Sequence, residues 1–240
     1  MTPASRAAAG APRYHRPVET LPRALSLDLD DTLWPIWPLI ERAELALDAF
    51  LRERCPRTAQ RFPIHRMRRL REQVAAEHPH LVHDFTEQRM ISLRRALAES
   101  GDDVAHADAA FEAFYASRND VVFYPDALPA LERLAARWPL AALTNGNADL
   151  DRIGIGAHFR AFVSARDQGH AKPELPIFMA TCERLGVEPH EVLHVGDDPL
   201  LDVVGARRAG MRSCWINRKK DSWPLGLPRP DLEFATLSGL

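Results

Sequence analysis

The sequence predicts an α/β protein: a parallel sheet covered by helices on both faces, interrupted after its first strand by an all-helical insert. Three observations carry that expectation. Short apolar runs alternate with helical patterns through the second half of the chain, which implies parallel strands joined by crossover helices. A stretch of about eighty residues nearer the N-terminus shows helical periodicity alone. Several of the strand runs end in clusters of polar residues, and in a parallel sheet such ends share the edge where ligands bind.

Taken in order, residues 1–20 lack the apolar stretch of a signal peptide and are expected to form a disordered leader. The core is expected at 21–36 and 121–240. Its first strand, A-L-S-L, runs into Asp28-Leu29-Asp30-Asp31-Thr32. The insert, 37–120, carries Leu39, Ala43, Leu47, Phe50 and Leu51 at helical spacing, then Met67, Leu70 and Val74. Met90, Leu93 and Leu97 make a third stripe, and Ala107, Phe111 and Phe114 a fourth, separated by P-H-L-V-H-D and E-S-G-D-D. Beyond it come a helix at 125–137, a strand at 139–144 ending in the turn N-G-N, and a strand F-V-S-A. A helix closed by Gly186, a strand V-L-H-V-G-D-D, a helix ended by Gly210 and a last strand R-S-C-W-I complete the pattern.

The bulk properties exclude several classes. At 240 residues, 46% hydrophobic and 27% charged, with a formal net charge of -2, the chain has the composition of an ordinary soluble protein. No apolar run approaches the roughly 20 residues of a membrane span, and no global field would draw it to nucleic acid or an anionic membrane. Cys55, Cys182 and Cys214 are odd in number and lack C-x-x-C spacing, so neither a disulfide framework nor a zinc site is indicated. A reducing cytoplasm fits best.

The strand ends carry the chemistry. Asp28 and Asp30 are two apart, so on an extended chain their carboxylates project to one side and repel. Thr144-Asn145-Gly146 ends a second strand, and Gly196-Asp197-Asp198, with Asp202 a turn later, ends a third. Carboxylates gathered on one edge are expected to share a divalent cation, and an all-oxygen donor set with no paired His or Cys points to magnesium. Lys172 stands out separately. Of 31 basic residues only Lys172, Lys219 and Lys220 are lysines, so a compact point charge is used where arginine would otherwise do.

The succession D-x-D-x-T, T-N-G, K-P and G-D-x-x-x-x-D resembles the haloacid dehalogenase superfamily over roughly residues 21–237. The resemblance implies a Rossmann-like three-layer core with strand order 5-4-1-2-3, and makes the insert a helical cap of the first type, a lid over the site. It implies that Asp28 is a nucleophile forming an aspartyl-phosphate, and that Asp30 protonates the leaving alkoxide and then deprotonates water. Magnesium would lie on the Asp28 carboxylate, the Asp30 backbone carbonyl and Asp197. Thr144 and the amide of Asn145 would hold phosphate oxygens with Lys172, while Asp198 and Asp202 hold metal waters or orient Lys172. The implied protein is a cytoplasmic, magnesium-dependent phosphatase of a small-molecule phosphomonoester, monomeric or homodimeric, with no nucleic-acid or membrane partner.

Haloacid dehalogenation uses the same nucleophile against carbon and lacks the second aspartate, so Asp30 argues for phosphate chemistry. A phosphomutase or a sugar-phosphate phosphatase shares the core, and a catalytically silent binding protein would not need Asp28, Asp30, Lys172 and Asp197 intact. H-D-F-T in the insert, with L-T-N-G-N-A, H-V-G-D-D and G-M-R-S-C-W-I, further resembles the bacterial phosphatases of 5-amino-6-(5-phospho-D-ribitylamino)uracil and flavin mononucleotide. That likeness implies a planar ring under the lid near Trp34 or His83. Trp34 and Trp37 are open to two readings, stacking on such a ring or packing the hinge. His78, His80 and His83 lack helical ligand spacing, six arginines from Arg57 to Arg71 read as a solvated helix face, and His170 is left outside the site.

Overall fold

The computed structural model describes residues 21–240; the expected leader lies outside the described residues. Strands β1 (Ala24–Leu27), β2 (Leu140–Thr144), β3 (Ala161–Ser164), β4 (Val192–Gly196), β5 (Arg212–Ile216) and β6 (Leu232–Phe234) form one sheet in the order β3-β2-β1-β4-β5-β6, every pair parallel. Read from its other end, this is the expected 5-4-1-2-3 with β6 added outside β5. The sixth strand escaped the sequence reading because three residues on an edge carry no alternation to detect. With β1 central and all strands parallel, the carboxyl ends of β1, β2 and β4 meet at one edge.

The strands are apolar throughout because both faces of the sheet are covered. Leu25 and Leu27, Leu140 and Ala142, Leu193 and Val195 pack to one face, and Ala24, Ala141, Leu143 and Val192 to the other. Between β1 and β2 the chain forms α1 (Ile36–Arg54), α2 (Pro56–Arg61), α3 (Ile64–Glu77), α4 (Phe85–Ser100) and α5 (Ala107–Arg118), followed by α6 (Ala127–Ala135). Farther on come α7 (Leu150–Ile153), α8 (Ala165–Gln168), α9 (Leu175–Leu185) and α10 (Gly205–Arg208). Helix α6 covers the first face of the sheet, and α9 with α10 the second.

Local chemistry places these helices. The Asp31 carboxylate accepts the Ile36 N–H at 3.0 Å and so satisfies a free donor at the start of α1, where Pro38 is harmless in the first turn. Asp84 accepts the Glu87 N–H at 2.9 Å to open α4, and Gly101, at φ 74°, takes the left-handed turn that closes it. One element differs from expectation: the single helix read before Gly210 is a π-helical turn, Pro199–Val204, leading into α10. That wider turn carries Asp202 inward to the strand ends, a common use of π geometry.

The insert has its own apolar cluster, built from Ala43, Leu47, Leu51, Leu93, Leu97 and Phe114 among others. It is tied to the core at several points. Glu112 accepts from Arg152 at 2.5 Å, and Asn119 Oδ1 accepts the Asp149 N–H at 2.8 Å. Arg118 at the end of α5 pairs with Asp30, Asn147 Nδ2 donates to Thr86 Oγ1 at 3.1 Å, and Arg166 lies 3.3 Å from Asp84. Among the described residues no helix is long and apolar enough to cross a membrane, and the three cysteines are buried as free thiols.

Candidate active site

Strand β1 stops at Leu27, although the Asp28 N–H still donates to Val195 O at 2.9 Å. The backbone then coils: Leu33 N donates to Leu29 O, Asp31 N to Trp34 O, and Asp31 takes φ 58°. The two-residue alternation expected to align Asp28 and Asp30 therefore does not extend past the strand. Both residues line the same cleft, but the Asp30 carboxylate is engaged elsewhere. Trp34 Nε1 donates to Asp30 Oδ1 at 2.8 Å, and Arg118 Nη2 donates to both Asp30 oxygens at 2.8 Å. The acid that repels Asp28 most is Asp202, with Asp30 a smaller influence, and Asp28 in turn repels Asp197, which follows β4.

Lys172 answers that crowding. Its Nζ donates to Asp28 Oδ1 at 2.5 Å and to Asp202 Oδ1 at 2.6 Å, and all three residues are buried. Burial alone would strip the proton from Lys172, but Asp202 and Asp28 outweigh it and hold the ammonium charged, its pKa raised. Burial likewise favours a protonated Asp202, yet Lys172 and His194 prevail and keep that carboxyl well below its usual range. Asp202 is the most engaged of the three acids: Oδ1 also accepts from His194 Nε2 at 3.1 Å, and Oδ2 accepts the Asp198 N–H at 2.9 Å. His194 completes the chain to β1, because a ring that donates Nε2–H to a carboxylate accepts the Ser26 hydroxyl at Nδ1, 3.0 Å away. Burial pushes its pKa down, consistent with a neutral ring.

Asp28 and Asp197 are left short of positive charge. Burial is the largest influence on each; with Asp202 as a further repulsion it lifts Asp28 to about 7 against the pull of Lys172, and with Asp28 and Asp202 it lifts Asp197 to about 8. Oxygens of Asp28, Asp197 and Asp202 all lie within 4.8 Å of one another. Asp202 is spent on Lys172 and His194, whereas Asp28 Oδ2 and Asp197 Oδ1 carry only long bonds from Thr32 Oγ1, 3.3 and 3.4 Å. Hard oxygen donors with excess negative charge and vacant lone pairs fit a small divalent cation. Trp215 Nε1 donates to Asp197 O at 2.7 Å and holds the donor in place.

The β2 turn serves this centre through side chains as well as backbone. Thr144 Oγ1 accepts the Gly146 N–H at 2.9 Å, while Asn145 grips the backbone of Lys172 on both sides, Nδ2 to Lys172 O at 2.9 Å and Oδ1 from Lys172 N at 2.7 Å. Gly146 is there because of close approach: a Cβ on it would stand 2.5 Å from Asp30 Oδ2. Asp198, expected near metal waters or Lys172, instead caps the π-helical turn, accepting from Leu200 N and Leu201 N at 2.7 Å each, and lines the cleft.

Thus Asp28, Asp30, Thr144, Asn145, Lys172, Asp197, Asp198 and Asp202 all border one cleft of about 480 Å³ beneath the helical insert. Two other expectations change, the two readings of Trp34 resolve to packing, and His170 stays outside the site as expected. Trp34 is fully buried, held by its bond to Asp30 and edge-on to Phe123, so it is closed to ligand; Trp37, Phe85 and Phe114 line the cleft instead. His83 does not line it. Arg71, one of the six arginines read as a solvated face, does. His170 is exposed and bonded to Glu174. Sequence reasoning passed over His194, Arg118 and the grip of Asn145. The first two had a signal: His194 is the polar residue inside a buried strand, and Arg118 follows Phe114 on the buried stripe of α5.

Comparison with known proteins agrees with this geometry. The profile of the haloacid dehalogenase-like hydrolases matches residues 22–210. The chain is 35% identical over 236 residues to the Escherichia coli (strain K12) 5-amino-6-(5-phospho-D-ribitylamino)uracil phosphatase YigB, covering 95% of this chain and 98% of that one. Among solved structures, a protein named as a 2-haloacid dehalogenase from Pseudomonas syringae pv. tomato DC3000 superposes with a TM-score of 0.85 at 35% identity, covering 91% of this chain and 96% of that one. A HAD phosphatase from Thermococcus onnurineus superposes with a TM-score of 0.64 at 27% identity, covering 90% and 94%.

Proposed function

Because the chain belongs to the haloacid dehalogenase-like hydrolases, we propose that it hydrolyses a small-molecule phosphomonoester through an aspartyl-phosphate, with residues 37–120 acting as the lid. The observation that carries the reading is Asp28. It is buried at the end of the central strand, its Oδ1 anchored by Lys172 at 2.5 Å and its Oδ2 nearly free at the cleft. An anchored carboxylate with one free oxygen is placed for attack.

Asp28 Oδ2 bonds to phosphorus as the bond to the substrate oxygen breaks, and Asp30, which must enter the step protonated and turned from Arg118 Nη2, gives that oxygen its proton. Water then attacks the same phosphorus, Asp30 takes a proton from it, and phosphate leaves Asp28 restored. Thr144 and the amide of Asn145 donate to the phosphoryl oxygens, and Lys172 offsets charge on them. Asp28, the Asp30 carbonyl and Asp197 would hold magnesium, which when bound supplies positive charge to the transferring group. Asp202 and His194 keep Lys172 charged and in place; Asp198 braces the turn that carries Asp202.

The similarity to a protein named as a dehalogenase raises attack on carbon as the second reading. The presence of Asp30, held at the cleft by Arg118, favours phosphate. As substrate we favour a flavin-pathway phosphate, 5-amino-6-(5-phospho-D-ribitylamino)uracil or flavin mononucleotide, on the strength of near-full-length similarity to YigB and an aromatic-lined cleft. The three free, buried thiols fit a reducing, cytoplasmic setting. The test is phosphate release from p-nitrophenyl phosphate and flavin mononucleotide, with and without magnesium. Asp28→Asn is expected to lower kcat by more than about 10³-fold, the scale of a lost nucleophile. Retained phosphatase activity in that variant, or halide release from 2-chloropropionate by the wild type, would overturn the reading.

A further inference from the structure

The cleft has far more room than a phosphate needs; at about 480 Å³ it lies within the roughly 300–1,000 Å³ of pockets for larger ligands. Its upper wall is apolar, built from Trp37 and Ile40 of α1, Phe85 of α4 and Phe114 of α5. Three arginines of the insert border the same cleft, Arg71 near Glu44, Arg118 paired with Asp30, and Arg89. Arg89 is 8% exposed, borders the cleft, and lays its guanidinium 3.5 Å over the Phe114 ring. Among the described residues it has neither a hydrogen-bond acceptor nor a carboxylate partner.

The acid whose charge reaches it, Glu44, is already engaged: Oε2 accepts from Arg68 Nε and Nη2 at 2.8 and 2.5 Å, and Oε1 lies 3.9 Å from Arg71 Nη1. Burial, with repulsion from Arg71 and Arg118, brings the Arg89 pKa down to about 9, so it remains charged at neutral pH. Buried cations are ordinarily paired, because desolvating one without a partner is costly. Among the described residues, nothing pairs Arg89. A planar guanidinium lying on the Phe114 ring beside the aliphatic Ile40, with Arg71 and Arg118 near it, matches a flat ligand with apolar faces and an acceptor oxygen on its edge.

We propose that Arg89 is the specificity-determining residue of the lid, donating to a carbonyl oxygen on the edge of a pyrimidine-type ring whose faces lie against the apolar wall while the phosphate sits at Asp28. This rests on the flavin-pathway reading above. The other source of acceptor oxygens, the carboxylate of a small phosphorylated acid, offers them without the apolar faces, and so leaves the apolar wall unused.

Steady-state kinetics in magnesium on flavin mononucleotide, ribose 5-phosphate and 3-phosphoglycerate separate these cases. In Arg89→Met the preference for flavin mononucleotide over ribose 5-phosphate, as a ratio of kcat/KM, should fall by about 10- to 100-fold, mostly through KM, the scale of a hydrogen bond to a charged group. Arg89→Lys keeps a charge near Phe114 but not the fork. It should show most of the same fall, and it carries the test if Arg89→Met does not fold. A wild type that prefers flavin mononucleotide, with variants that keep the preference, overturns the role of Arg89 alone. A wild type that hydrolyses ribose 5-phosphate but not flavin mononucleotide overturns the flavin-pathway reading and the ring with it. A loss confined to 3-phosphoglycerate overturns the ring in favour of a carboxylate.

Discussion

On the floor of the cleft Lys172, Asp202 and His194 each have at least two polar partners within 3.1 Å, whereas on the wall above them Arg89 has none among the described residues. The floor is assembled from the ends of β1, β2 and β4 and the loop that carries Lys172. Its Lys172, Asp28, Asp202 and His194 are fixed by one another, while the Asp197 carboxylate has only a 3.4 Å bond from Thr32. The wall belongs to the helical insert, where Trp37, Ile40, Phe85 and Phe114 stand beside Arg71, Arg89 and Arg118. The difference reflects two tasks. Phosphoryl transfer depends on positioning to tenths of an ångström, so its groups are locked before substrate arrives. Recognition gains most from a polar group that only the ligand completes, since an unfilled site then carries the cost of desolvation.

If the floor is a single locked unit, removing one inner member should damage the whole. Asp202→Asn leaves the Lys172 charge buried with half its counter-charge and weakens the tie to His194. It is expected to lower kcat by about 10²-fold or more and to destabilise the fold by about 3 kcal/mol, the cost of breaking a buried pair. Phosphate release and chemical unfolding report the two. Wild-type stability in the Asp202→Asn variant would mean that the floor is not a unit.

The next effect sharpens the charge balance. Asp28 and Asp197 are raised to about 7 and about 8, chiefly by burial and then by their neighbours, well above their unfolded values near 3.8. The folded protein therefore keeps protons that the unfolded chain has released, and metal-free stability falls as pH rises from about 4 through about 8. His194, whose pKa is lowered, works in the opposite sense below about 6.5. The clean window is thus pH 6.5 to 8. In chelator the thermal midpoint is expected to drop across that window, and magnesium should raise it more at pH 8 than at pH 6.5, because metal and protons compete for the same oxygens. A midpoint in chelator that climbs with pH across the window would contradict this charge balance.

The smallest effect probes the seam between wall and floor. Asn147→Ala deletes the 3.1 Å bond to Thr86 that ties α4 to the β2 turn. It should cost about 1 kcal/mol or less and shift KM for the ring-bearing substrate about two- to threefold while leaving p-nitrophenyl phosphate less affected. Equal shifts on both substrates would place the contact in the catalytic floor instead.

How much of this was legible depended on how local the signal was. The five longer strands, the glycine-closed helices and the carboxylates at the strand ends were readable, since each rests on a few consecutive residues. Asn145 and Lys172 were both picked out, but their bonding across 27 residues was not, and the pairing of Asp30 with Arg118 spans 88. Strand β6 and the π-helical turn were missed for the complementary reason, that three edge residues and one altered turn leave no periodic trace.

What the chain alone determined was the inventory: strand tips rich in acid, one lysine among arginines, and an insert with helical stripes. Backbone periodicity and motif spacing are properties of near neighbours, so they survive without coordinates. Only the folded arrangement decided which acid Lys172 shares, that Trp34 is sealed while Trp37 opens to the cleft, and that Arg89 stands buried without a partner among the described residues. Those facts arise where the insert closes over the sheet edge, and burial and partnership are set by residues far apart in sequence.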